Sequence, residues 1–159
     1  MKQIKIYINE KLHVTTKSFY TCQPKTKEEL QKIIIERIKD DGNECDLNDI
    51  DVSKITDMSW LFNGNTHLNS GNNIFKNFNG DISLWNVSNV KNMSGMFNFC
   101  NQFNCDISSW NVSHVTDMSL MFNGCYKFNC DISHWNVSNV EDMRNAFVCC
   151  PTKPEWYNE

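Results

Sequence analysis

Residues 103–127 read FNCDISSWNVSHVTDMSLMFNGCYK, and much of that stretch is written again on either side. Residues 78–88 read FNGDISLWNVS, and residues 128–138 read FNCDISHWNVS. Phe78, Phe103 and Phe128 stand 25 apart, as do Asp81, Asp106 and Asp131. Trp85, Trp110 and Trp135 keep the same interval, followed by Met93, Met118 and Met143 and by Phe97, Phe122 and Phe147. A fixed period of this length marks stacked units, none of which buries its apolar face alone. A divergent copy precedes them: CDLNDIDVSKITDMSWLF at 45–62 aligns with CDISSWNVSHVTDMSLMF at 105–122, with Ile50 in the tryptophan place. Its offset to the next copy is 35 residues, ten more than the period, which predicts an inserted loop at 68–77. The units are then 43–67, 78–102, 103–127 and 128–152.

Within one unit the apolar pattern changes period. Phe103, Cys105 and Ile107 alternate with Asn104, Asp106 and Ser108, the mark of a strand with one buried face. Val115, Met118 and Met121/Phe122 then fall at spacings of three and four, one face of a short helix, with Ser113 placed to cap it. The expectation is an α/β fold: a short, right-handed, leucine-rich-repeat-like solenoid of four coils, each a parallel strand plus a short helix. Its N-terminal cap spans 1–42. There Ile4, Ile6 and Ile8, then Leu12 and Val14, predict a β-hairpin. Thr26 and Glu29 form a capping box ahead of a helix at about 27–41, with Leu30, Ile33, Ile34 and Ile38 on one face and Gly42 at its end. The solenoid is expected over 43–152. A tail at 153–159 follows, in which Trp156 and Tyr157 are placed to close the last coil.

Composition narrows the function. The chain has 159 residues and a net charge of −4, unevenly spread. Residues 1–42 hold nine Lys/Arg against six Asp/Glu, and residues 43–150 hold five against eleven. The repeats therefore lack the basic stripe of a nucleic-acid binder. No apolar run approaches the roughly 18 residues that cross a membrane, and no secretory leader is evident in MKQIKIYINEKLHV. A cytoplasmic location with eight reduced cysteines is the expectation.

The unit F-N-x-D-I-S-x-W-N-V-S-x-V-x-x-M-x-x-M-F-x-x-C resembles the repeat of the BspA-like leucine-rich-repeat proteins, over about 43–152. Many of these are bacterial surface proteins and mycoplasma lipoproteins, and others are encoded by phages and mobile elements. The resemblance implies a binding role and carries no catalytic residues. The start of the sequence leads us to expect neither a signal peptide nor an early lipid-attachment cysteine, a departure from the surface members.

The candidate binding surface is the polar side of the strand ladder: Asn79, Asp81, Ser83, Asn104, Asp106, Ser108, Asn129, Asp131 and Ser133. Four strands give a face only about 19 Å wide, so the inserted loop or the N-terminal cap is expected to share the contact. The cysteine columns, Cys105 and Cys130, then Cys100, Cys125 and Cys150, are taken as small core residues. Their spacing lacks paired zinc ligands, and no histidine recurs beside them. The tryptophan column is taken as aromatic core. Each Asn-Val-Ser is taken as a corner asparagine rather than a glycosylation site. The expected function is non-enzymatic protein binding, without cofactor or metal, by an intracellular inhibitor or adaptor. A surface adhesion protein and a thiol- or metal-dependent enzyme are the rival classes.

Overall fold

The computed structural model describes residues 19–65 and 74–158. The hairpin expected within 1–18 and most of the 68–77 loop lie outside the described residues.

The one helix among the described residues, α1 (Lys27–Asp41), forms where the capping box predicts. The Thr26 hydroxyl accepts the Glu29 N–H at 3.2 Å, and Glu29 Oε2 accepts the Lys25 N–H at 2.8 Å. Gly42, at φ 85°, ends the helix by returning its N–H to the Ile38 carbonyl. Leu30, Ile34 and Ile38 are buried on one face. The polar flank binds the first repeat: Gln31 Nε2 donates to the Leu61 carbonyl, Lys27 reaches Asp57 and Ser59, and Arg37 pairs with Asp49 at 2.7 Å.

The expected α/β solenoid of four coils, with parallel strands and short helices, is not formed. Among the described residues there is no sheet and no helix after α1. Only isolated parallel bridges appear, such as Asn92 to Asp117 and Asp117 to Asp142. The physical reason is that side chains capture the backbone at each corner. Asp106 Oδ1 accepts the Ser108 N–H, Asn111 Oδ1 the Ser113 N–H, and Asp117 Oδ1 the Ser119 N–H, at 2.9–3.1 Å. These are Asx turns, which compete with helix and strand for the same N–H groups. Ser113 is therefore the third residue of a turn and not a helix cap.

The Met-rich segment is built from turns as well. Alternate N–H groups leave the repeat: Met93 donates to the Asp117 carbonyl, Gly95 to Ser119, Phe97 to Met121 and Phe99 to Asn123, at 2.7–2.9 Å. The N–H groups of Met96, Asn98 and Cys100 stay within the repeat, on carbonyls three residues back. Left-handed residues make this alternation possible. Gly95 (φ 59°) and Phe99 (φ 58°) are matched by Leu120 and Gly124, then by Asn145 and Cys149. An α-helix would hold every N–H four residues back and leave none for the neighbour.

The core follows the 25-residue period. Phe78, Phe103 and Phe128 stack with centroids 6.0–6.2 Å apart. Phe97 and Phe122 stack beside them, with Phe97 only 3.9 Å from Phe103. Each indole N–H donates to a carbonyl of the preceding unit: Trp85 to Leu47, Trp110 to Ile82, Trp135 to Ile107. Trp156 continues the series onto Ile132, so the tail closes this side of the last unit.

Candidate functional site

The nine expected contact residues fall into three columns with different duties. In the asparagine column, Asn79 Oδ1 accepts the Asn104 N–H at 2.8 Å and Asn104 Oδ1 accepts the Asn129 N–H at 2.7 Å. Asn79 and Asn104 thus spend their side-chain oxygens joining units. The serines close the turns: Ser83 and Ser108 each donate both N–H and hydroxyl to the preceding aspartate, and Ser133 donates its N–H.

The aspartate column faces outward. Asp81, Asp106 and Asp131 are all exposed, and each uses Oδ1 in its own turn. For Asp106 and Asp131, Oδ2 meets no donor among the described residues. Hydrogen bonds from Ser108 and Ser133 hold these two carboxyls below their ordinary 3.8. Both are therefore charged throughout the neutral range. The column is a row of carboxylates fixed in direction by turns, and at Asp106 and Asp131 the second oxygen is left for a partner.

The thiols beside this row are poor nucleophiles. Cys105 Sγ lies 3.9 Å from Asp81 Oδ1, and Cys130 Sγ lies 3.5 Å from Asp106 Oδ1. Burial, with the adjacent carboxylates adding to it, pushes Cys105 up to about 11. Cys130 is raised by burial and by Asp106. Cys100, Cys125 and Cys150 donate their thiol hydrogens to the carbonyls of Phe62, Phe97 and Phe122, at 2.6–3.0 Å. Burial raises all three, Cys150 to about 12. A reactive thiol needs the opposite shift. Among the described residues, no group of three His, Cys, Asp or Glu side chains is placed to hold a metal ion.

A second acidic column escaped the sequence reading. Asp57, Asn92, Asp117 and Asp142 align through single parallel bridges. Basic residues neutralise its ends: Lys27 sits 2.9 Å from Asp57, and Arg144 sits 2.6 Å from Asp142. Hydrogen bonds from Arg144 draw Asp142 down to about 2. The recurring D-M-S triplet, the same turn signal as D-I-S, was the clue available. This column carries paired ends, whereas the Asp106 and Asp131 carboxylates have no cation beside them in any ion pair described here.

A family model described as "Mycoplasma protein of unknown function, DUF285" matches residues 34–154, and the chain belongs to that family. No curated protein and no solved structure matches it.

Proposed function

We propose that this DUF285-family chain is a non-enzymatic protein-binding module whose contact surface is the acidic column Asp81, Asp106 and Asp131, with its flanking serines. One observation carries the reading: among the described residues, the second carboxylate oxygens of the exposed Asp106 and Asp131 meet neither a hydrogen-bond donor nor a cation in an ion pair. Like charges at one-repeat spacing, roughly 5 Å, repel by about 0.8 kcal/mol in water. A partner with a row of Lys or Arg side chains removes that repulsion on binding. The raised thiols weigh against a thiol enzyme. The likeness of the repeat to BspA-like proteins supports a binding role, and an adaptor or inhibitor is the form of it proposed here.

The test uses a variant that keeps the turns. Asn86, Asn111 and Asn136 make the same side-chain turn as the aspartates, so Asp81→Asn/Asp106→Asn/Asp131→Asn preserves the backbone. Wild type and variant are immobilised and exposed to a lysate of the source cells. The reading requires basic proteins that bind wild type, release with salt and fail to bind the variant. Identical captured sets from the two would refute it.

A further inference from the structure

The two ends of the repeat stack differ in hydrogen bonding. In the turn rows 58–64, 93–99 and 118–124, alternate N–H groups always donate forward, to carbonyls of the next unit. Met118, Leu120, Phe122 and Gly124 donate to Asp142, Arg144, Ala146 and Val148. After the last of these units, the described residues 151–158 do not form another turn row. The N–H groups of Met143, Asn145, Phe147 and Cys149, at the equivalent places, meet no acceptor among the described residues. At the neighbouring corner the pattern reverses: Thr116 N–H donates back to Lys91 and Glu141 N–H back to Thr116. Among the described residues this leaves the Glu141 carbonyl without a donor. The edge therefore presents one acceptor followed by four donors at alternate residues.

The described tail residues flank this edge without giving its N–H groups an acceptor. Trp156 and Tyr157 pack edge-on against Phe147 at 5.8 and 4.9 Å, on the aromatic side of the unit. Beside them a depression of about 760 Å³ is lined by Met143, Arg144, Asn145, Val148, Tyr157 and Asn158. We propose that this edge is a docking site for a peptide segment that adopts the turn conformation of one more repeat, offering a backbone N–H to Glu141 and four alternating carbonyls to the row. Continuity with the three existing interfaces selects that occupant, since each is filled by this donor and acceptor sequence. Small anions fit poorly, because Glu141 and Asp142 also line the depression. A second copy also fits poorly. Its own C-terminal edge is mostly donors, and the opposite end of its stack is covered by α1, where Gln31 already occupies the Leu61 carbonyl. This main-chain recognition is independent of the acidic column.

The probe is a synthetic peptide of residues 111–125, NVSHVTDMSLMFNGC, which carries the carbonyl row of Asp117, Ser119, Met121 and Asn123. Amide exchange of the full chain is followed residue by residue by NMR, with and without the peptide. The result expected is exchange slowed by about tenfold or more at Met143, Asn145, Phe147 and Cys149, with no change at a scrambled peptide. Val148→Arg, which fills the depression, should abolish that slowing while leaving the wild-type spectrum elsewhere. Three outcomes would overturn the proposal: no slowing at those amides, the same slowing with inorganic phosphate alone, or amides already protected in a dimer without peptide.

Discussion

The Met93 N–H donates to the Asp117 carbonyl 2.9 Å away, 24 residues later and in the next unit. That bond belongs to the isolated parallel bridge between Asn92 and Asp117, which is not continued into a sheet. It exists because the N–H of Ser94 is taken by the Asn92 side chain, 2.9 Å away, and Gly95 turns left-handed. The backbone then points successive N–H groups alternately inward and onward. Several consequences of this arrangement are open to measurement.

Gly95 lies against Trp60. A Cβ there would stand 2.5 Å from the indole ring, and its φ of 59° is unfavourable for alanine. Gly95→Ala should destabilise the protein by about 2–4 kcal/mol, seen as a lower urea midpoint. Trp60→Ala in the same chain should recover part of that loss. No recovery in the double variant would show that the indole is not what the new methyl meets.

Trp110 is buried and its indole N–H donates to the Ile82 carbonyl at 3.3 Å. Trp110→Phe keeps an aromatic ring but removes the indole donor from that carbonyl, which retains the Trp85 N–H at 3.1 Å. The expected cost of the lost hydrogen bond is about 0.5–1.5 kcal/mol by chemical denaturation. An unchanged midpoint would mean that the indole bond contributes nothing.

Stability should fall in acid, through Asp49 among others. Burial alone would raise its carboxyl, but hydrogen bonds from Thr21 and Arg37 outweigh that and hold it below 3.8. A depressed native value stabilises the fold above the unfolded value, and the contribution is lost as pH falls through the native one. The melting temperature should therefore be steady from pH 7 to about 5 and drop below about pH 4. Arg37→Met should lower it at neutral pH and make the acid drop shallower. An equally steep drop in that variant would contradict the role given to the Arg37–Asp49 pair.

Asp106→Asn should leave the melting temperature unchanged or raise it. The amide oxygen can accept the Ser108 N–H as Asn111 accepts that of Ser113, while one charge leaves the acidic row. A large fall on calorimetry would assign the carboxylate a structural role in place of a binding one.

Native thiol labelling should be uneven. Cys100 and Cys125 are buried and raised by burial, whereas Cys149 is exposed. Iodoacetamide at pH 7.5 should modify Cys149 first and leave Cys100 and Cys125 intact until denaturant is added, as read by peptide mass mapping. Early modification of Cys100 would contradict its burial.

The sequence carried the period and the core more plainly than the local structure. Phe103, Ile107, Trp110 and Met118 were all marked as core by their 25-residue recurrence, and all are buried. Thr26, Glu29 and Gly42 located α1 because capping is a local matter. The strands and short helices were misread because apolar spacing alone cannot tell a helix face from a run of turns that buries the same residues. D-I-S, N-V-S and D-M-S were visible turn signals. The left-handed backbone of Leu120 was not, because it is imposed by the neighbouring unit and not by the residue. The aspartate column was legible, but the spending of Asn79 and Asn104 on inter-unit bonds depends on contacts 25 residues away.

The most direct test of the turn-row architecture is NMR scalar coupling across hydrogen bonds in isotope-labelled protein. The arrangement predicts couplings from the Met93 nitrogen to the Asp117 carbonyl carbon and from the Phe97 nitrogen to that of Met121. Couplings from Met121 back to Asp117, as in a helix, would contradict it.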